Sequence, residues 1–399
     1  MPMKFHFKIV IIGGGTGGIS VAARLLRKSS NFHHEILILD PSSTHYFQPL
    51  WTLVGAGVIP KRFTARSMET VIPDGAIWHK KAVTTIDPDA NEVTTDDGTV
   101  YSYDYLVVAA GVELNWDNIK GLKETLGKNG VCSNYSSEHV EYTWEALRTF
   151  ESGNAIFTHP HGPIKCGGAP QKIMYLTDEA LTNFGVRDKA KLIFTIGKPK
   201  VFDIPEYEDV IKEVIDRKQI ETRVNTDLIE VRGEEREAVF KNIKTGEITT
   251  ESFELLHVVP TIQAPLFIRE SKLANEEGWV HVHKHTLQHV KYSNVFALGD
   301  NSSLPTSRSG AAIRKQAPVL VDNLLSFMQE TPLTAQYDGY TSCPIVTGYG
   351  SVVLAEFGYE NKLMETMPFN QRKERLSMYI LKKDILPIVY WNGMLKGVM

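Results

Sequence analysis

Two stretches of the 399-residue sequence carry residue types and spacings that could do chemistry. The first, residues 7–28, reads "FKIVIIGGGTGGISVAARLLRK" and sets Gly13, Gly15 and Gly18 in the G-x-G-x-x-G spacing between a β-branched strand and a helical pattern. Glycines so placed permit a tight turn, close approach of backbone to a pyrophosphate, and close packing of helix on strand, with the phosphates at the helix N-terminus. A second apolar strand, "EILILD", ends on Asp40, 22 residues after Gly18, where its carboxylate can accept hydrogen bonds from a ribose. Gly13, Gly15, Thr16, Gly17, Gly18 and Asp40 are therefore the expected dinucleotide-binding residues.

The second stretch is "HPHGPIKCGGAPQKIMY", residues 159–175. It follows a strand-like run, "NAIFT", and precedes a helical pattern, the place where a nucleotide-binding unit puts a phosphate loop. Here it holds Cys166 between glycines and prolines. The chain has two other cysteines, Cys132 and Cys343. Three are too few for a disulfide scaffold and lack zinc spacing. A free cysteine is ordinarily a small buried hydrophobe, so only its surroundings can mark one as reactive.

The elements that must position these residues follow from pattern. The run "DGTVYSYDYLVVAAG" predicts a buried strand ending at Gly111. Far downstream, "YSNVFALGDN" predicts a strand closing on Gly299 and Asp300, followed by a helix, "SGAAIRKQAPVLVDNLLSFM". Asp300 can bond ribityl hydroxyls, and the helix N-terminus favours an anionic reduced flavin. An N-terminal fingerprint paired with a late "FALGD" thus points to FAD. The middle of the chain carries "NAIFT", a helix near 170–184, "KLIFTIG", a helix near 206–217 and short strands to "LLHVVP". It contains no second G-x-G-x-x-G, which argues against NAD(P)H as electron donor. The expected architecture is α/β: two Rossmann-like domains and a C-terminal module, which a family resemblance makes membrane-interacting. Residues 1–112 and 266–330 form the two parts of an FAD domain, 113–265 a second domain carrying Cys166, and 331–399 the terminal module carrying Cys343.

Composition narrows the function. With 42% hydrophobic and 23% charged residues the sequence reads as globular. A net charge of −4 gives no electrostatic footprint for nucleic acid. No apolar run is long enough to span a bilayer as a helix. The sequence enters a strand within a few residues of its start, so no signal or transit peptide is expected within it. The stretch "GWVHVHKHTLQH" places His281, His283 and His285 on one face of an expected strand, with His289 beyond. An exposed strand accounts for it, and no metal site is expected.

Over essentially its whole length the chain resembles the sulfide:quinone oxidoreductases, within the flavin disulfide reductase superfamily, and more closely the mitochondrial-like kind. The resemblance rests on "GGGTGGI", "YFQPLWTLVGAG", "GNAIFT…IKCGGAPQKIMYL", "NVFALGDNSSLPTS", "YDGYTSCPIVTGYG" and "KERLSMYILKKDILPIVYWN". It implies an FAD enzyme that oxidises hydrogen sulfide to sulfane sulfur and passes electrons to a membrane quinone. Cys166 then looks like the persulfide carrier and Cys343 like the flavin-facing thiol, with sulfide attacking a sulfur–sulfur bond between them. They lie 177 residues apart, so only the fold can bring them together. For FAD the resemblance adds Gln48, Val83, Gly111 and Arg308, and for the quinone Tyr379. Cys132 reads as structural, and the resemblance leaves open whether the flavin is covalently attached.

The resemblance also implies a membrane surface, a small sulfur acceptor such as glutathione or sulfite, and compatibility with a homodimer. The C-terminal "RLSMYILKKDILPIVYWNGMLKGVM" mixes apolar and aromatic residues, including Tyr379, Tyr390 and Trp391, with Lys382, Lys383 and Lys396. That mixture suits an interfacial anchor, broken into two short helices at Pro387. A start directly at the first strand favours the cytoplasmic face of a bacterial inner membrane over a mitochondrial inner membrane after transit-peptide removal. The rival readings are a type II NADH:quinone oxidoreductase, a flavocytochrome-type sulfide dehydrogenase, and a flavin-bearing persulfide carrier or sensor.

Overall fold

The computed structural model describes residues 3–399. Its first sheet has a parallel core in the spatial order 76–79, 36–39, 4–12, 100–108 and 295–297. The antiparallel strands 92–95 and 83–87 continue it beyond the N-terminal half of 100–108. The central strand β1 (Lys4–Ile12) has Ile9, Val10, Ile11 and Ile12 all buried. Such unbroken apolar runs belong to strands covered on both faces. Helix α1 (Thr16–Lys28) leaves the end of β1 and covers one face. The late strand 295–297 pairs with 106–108, so the chain returns to this domain after a long excursion.

That excursion builds a second parallel sheet in the order 131–132, 255–257, 153–159, 190–196 and 221–224. A three-stranded antiparallel sheet of 226–232, 237–242 and 248–252 adjoins it. In the second sheet β2 (Gly153–His159) leads through the Cys166 loop into α2 (Ala169–Asn183). Back in the first domain, α3 (Gly310–Met328) follows the Gly299–Asp300 turn. Its N-cap is Ser309, whose hydroxyl accepts from the Ala312 amide at 3.1 Å.

The last part of the chain is a hairpin, β3 (Thr341–Gly348) with β4 (Ser351–Phe357), laid against α2. Two short helices follow, α4 (Leu376–Ile380) and α5 (Leu386–Asn392), joined by one turn widened to the π form over Leu381–Ile385. Pro387 comes just after the π turn, where its missing amide interrupts the hydrogen-bond ladder of the helical run. The aromatic residues expected at an interface are instead turned inward: Tyr379, Tyr390 and Trp391 are buried. Lys382, read as a basic flank, is only 3% exposed. The outward face carries Leu376, Ile380, Ile385 and Ile388, each between 43% and 62% exposed. Among the described residues no helix is long and apolar enough to cross a membrane.

The expected histidine strand is also absent. Residues 281–289 make only isolated bridges, and the rings of His285 and His289 bond the carbonyls of Tyr337 and Leu273 at 3.0 and 3.1 Å. Backbone carbonyls, rather than one another, use up those ring nitrogens.

One side chain stitches the two ends of the first domain. The Asn301 amide group accepts from the Gly111 amide and donates to the Val108 carbonyl, both at 3.2 Å, and the residue is wholly buried. Removing it takes the partner from the Gly111 amide and leaves the Val108 carbonyl only the Leu298 amide, at 3.3 Å, so Asn301→Ala should lower unfolding stability by about 1–2 kcal/mol. Chemical denaturation checks this, and an unchanged midpoint would contradict the role given to Asn301.

Candidate functional site

The loop between β2 and α2 is held from three sides. The Cys166 amide donates to the Arg308 carbonyl at 3.1 Å, the Tyr135 hydroxyl to the Lys165 carbonyl at 2.9 Å, and the Ile262 amide to the Pro163 carbonyl at 3.0 Å. Cys166 itself sits at φ +58°, in the left-handed region that a side chain adopts only when its surroundings impose it. This turn aims its sulfur at Cys343, which stands buried in β3, and the two Sγ atoms are 3.4 Å apart. The glycines have different uses. A Cβ at Gly167 would meet nothing within 4 Å, so that side of Cys166 is open. A Cβ at Gly168 would stand 2.5 Å from the Cys343 sulfur, so only glycine lets the two thiols approach.

Two lysines set the charge of this pair. Lys172, one turn into α2, places its ammonium 3.5 Å from the Cys166 sulfur, though the residue is almost wholly buried. Lys382 reaches in from the π turn and donates to the Pro49 carbonyl at 3.0 Å. The hydrogen bond from the Cys343 thiol, aided by the charges of Lys172 and Lys382, holds Cys166 well below the ordinary thiol range despite burial. The same hydrogen bond, together with burial, pushes Cys343 well above it. These influences favour negative charge on Cys166 over Cys343. Burial works against the Lys172 ammonium, but the thiol pair outweighs it and raises its pKa. At Lys382 burial wins, helped by the charge of Lys172, and the pKa falls to about 7.

The dinucleotide residues form a cradle of the expected kind. Cβ atoms at Gly13 and Gly18 would collide with the Ala109 and Gly13 carbonyls, so these glycines hold the loop tight against strand and helix. Gly15 caps α1, has open space where a Cβ would be, and the helix has no acidic residue in its first turn. A pyrophosphate fits there. Asp40 accepts from the Gly14 amide at 2.7 Å and the Ser42 amide at 2.8 Å. Burial raises its pKa against those two donors.

At the other end, Lys165 donates to Gln48 and pairs with Asp300 at 3.3 Å. Arg308 donates from Nε to the Asp300 carbonyl at 2.9 Å and lies 4.0 Å over the Trp279 ring. The structure thus gathers Gln48, Asp300 and Arg308 beside the Cys166 loop. Val83 opens the strand 83–87 of the first sheet, and the strand expected to end at Gly111 stops at Val108, leaving Gly111 three residues beyond it with open space where a Cβ would be. Tyr379 is buried in the same apolar cluster as Cys343. Cys132 is wholly enclosed, and burial lifts its thiol to about 12, which suits packing and not reactivity.

Sequence reasoning missed Lys165 and Lys172 and misplaced Lys382. A signal for Lys172 existed: a lysine inside "PQKIMYL" interrupts a run that is otherwise buried along α2. Nothing local marked Lys382, whose burial depends on where the last helices dock.

Comparison with known proteins adds the following. The pyridine nucleotide-disulphide oxidoreductase family matches residues 7–157. A protein of Dictyostelium discoideum named mitochondrial sulfide:quinone oxidoreductase is 47% identical over 99% of this chain and 87% of its own length. One of the same name from Mus musculus is 44% identical over the same shares. The X-ray structure of the sulfide:quinone oxidoreductase from Aquifex aeolicus superposes with a TM-score of 0.84, over 98% of this chain and 92% of that one. At 18% identity that likeness concerns the fold alone.

The charge distribution at the thiol pair makes a direct prediction. Alkylation of Cys166 in the reduced protein should be independent of pH across the neutral range, because its thiolate is already formed. Lys172→Met removes a stabilising charge, so the alkylation rate should then rise with pH through a pKa shifted upward. Superimposable pH profiles for the two proteins would contradict the role of Lys172.

Proposed function

The chain belongs to the sulfide:quinone oxidoreductases, an FAD-dependent family, and from that premise we propose how its own residues divide the work. The reading is carried by one observation: two thiols 3.4 Å apart, the half-buried one 3.5 Å from the Lys172 ammonium, at the edge of the dinucleotide cradle. Cys166 is the sulfur carrier and Cys343 its partner. In the oxidised pair, hydrosulfide attacks the Cys166 sulfur, the sulfur–sulfur bond to Cys343 breaks, and Cys343 leaves as a thiolate. The product is a persulfide on Cys166. The spacing also suits a bridge with one inserted sulfur, since two bonds of about 2.05 Å meeting at a bent sulfur span roughly this gap.

Lys172 and Lys382 attract the hydrosulfide anion and stabilise whichever sulfur holds the negative charge. With a pKa of about 7, Lys382 can also take up or return a proton as that charge moves. FAD, when bound, would supply the acceptor for the electron pair released by sulfide oxidation, on its way to a quinone. Gly13, Gly15, Thr16, Gly17, Gly18 and Asp40 hold its pyrophosphate and ribose half, with Val83 toward the adenine. Gln48, Gly111, Asp300 and Arg308 would hold the flavin half. The open side at Gly167 lets a small nucleophilic acceptor, a thiolate or sulfite, reach the outer sulfur of the persulfide.

A quinone is reached at a membrane surface, and the exposed row Leu376, Ile380, Ile385 and Ile388 offers an apolar face for it. Tyr379 lies beneath that face as the candidate quinone contact. The most identical relatives named above are called mitochondrial, so the comparisons lend nothing to the preference for a bacterial inner membrane.

The test is anaerobic rapid mixing. Sulfide should bleach the flavin, NADH should not, and added quinone should restore the colour. Cys166→Ser and Cys343→Ser should each lose sulfide-dependent quinone reduction by roughly a thousandfold or more while keeping their flavin. Near-normal turnover in either variant would sink the assignment.

A further inference from the structure

The dinucleotide loop is held from a direction its fingerprint does not include. The buried His45 ring bonds through both nitrogens: Nδ1 lies 3.0 Å from the Gly14 carbonyl and Nε2 lies 2.5 Å from the Tyr390 hydroxyl. A carbonyl only accepts, so Nδ1 carries the ring proton. Burial lowers the His45 pKa to about 4, so the ring is neutral near pH 7 and Nε2 can only accept. Tyr390 must then give its proton to His45. Its oxygen is left to accept from the Thr16 hydroxyl, 2.8 Å away. The chain of donors runs one way only: Thr16 to Tyr390 to His45 to the Gly14 carbonyl.

This chain clasps both sides of Gly15, the residue that caps α1. Its middle member comes from α5, 374 positions downstream of Thr16. The α5 end is fixed by packing. Phe47 lies 4.3 Å from the Tyr390 ring, Trp391 lies 5.7 Å from His45, and the Arg66 guanidinium lies 4.3 Å over Trp391. The final turn, Met394–Lys396, packs against α1 itself.

We propose that Tyr390 is a positioning residue for FAD: its hydroxyl locks the pyrophosphate loop, so that cofactor affinity depends on the C-terminal segment. A loop already held in its bound shape loses less conformational freedom when the ligand arrives. Thr16 acts here through its side chain on the loop, leaving its backbone to the phosphate.

The experiment is reconstitution of apoprotein with FAD, followed by flavin fluorescence, for wild type, Tyr390→Phe, Thr16→Val and the double variant. Tyr390→Phe keeps the ring packing and should raise the FAD Kd about fivefold, the equivalent of about 1 kcal/mol. Thr16→Val should do the same, and the double variant should be little worse than either alone. The melting temperatures of the apoproteins should fall by no more than a few degrees, about what one lost buried hydrogen bond costs, separating loop positioning from general packing. A Kd for Tyr390→Phe within about twofold of wild type would overturn the proposal, as would independent, multiplying effects. Should Tyr390→Phe fail to fold, His45→Gln gives the same reading: weakened FAD supports the clasp and unchanged affinity refutes it. Because the readout is FAD affinity, failure here leaves the thiol assignment standing.

Discussion

The approach of two sulfur atoms across 177 residues is the constraint on which the structure turns. It needs a loop with Cys166 in a left-handed conformation, a glycine at 168 to leave room, and a hairpin that delivers Cys343 against α2. It also needs the loop tied to the first domain, which the Cys166 amide achieves through the Arg308 carbonyl. The second Rossmann-like domain keeps the strand–loop–helix geometry that elsewhere receives a nucleotide. Its loop carries a thiol in place of a phosphate-binding fingerprint.

Charge makes that meeting chemically useful. Two thiols in a dry site would both stay protonated, because desolvation disfavours thiolates. The hydrogen bond from Cys343, with the charges of Lys172 and Lys382 behind it, reverses this for Cys166. The same two lysines explain the unequal fates of their own protons: Lys172 is closest to the charge and keeps its proton, while Lys382 is left near the point of neutrality. The lysine that the sequence suggested for a membrane surface thus belongs to the interior of the site.

What the sequence made legible follows its range of interaction. The strand–glycine–helix unit is local, and the expected strand over 7–12 appears as the buried half of β1, with α1 and Asp40 where the spacing put them. The helices near 170–184 and 206–217 are found at 169–183 and 205–217 for the same reason. The pairing of Cys166 with Cys343 had no local signal and was reached only through resemblance. Burial of Lys382, Tyr390 and Trp391 was misjudged because an amphipathic segment does not announce which side faces the protein. Here the aliphatic residues face out, and the aromatic ones fill the space between α5 and the dinucleotide loop. The histidines at 281–289 misled by alternation alone, since their backbone makes only isolated bridges.

The central claim is that Cys166, and not Cys343, takes the sulfur from sulfide. Its most direct test is peptide mass spectrometry after one anaerobic turnover with stoichiometric sulfide and no acceptor, with thiols trapped at quench. The account predicts extra sulfur on the peptide containing Cys166, formed together with reduced flavin. Extra sulfur confined to the Cys343 or Cys132 peptide, or reduced flavin with no sulfur on any cysteine, would contradict it.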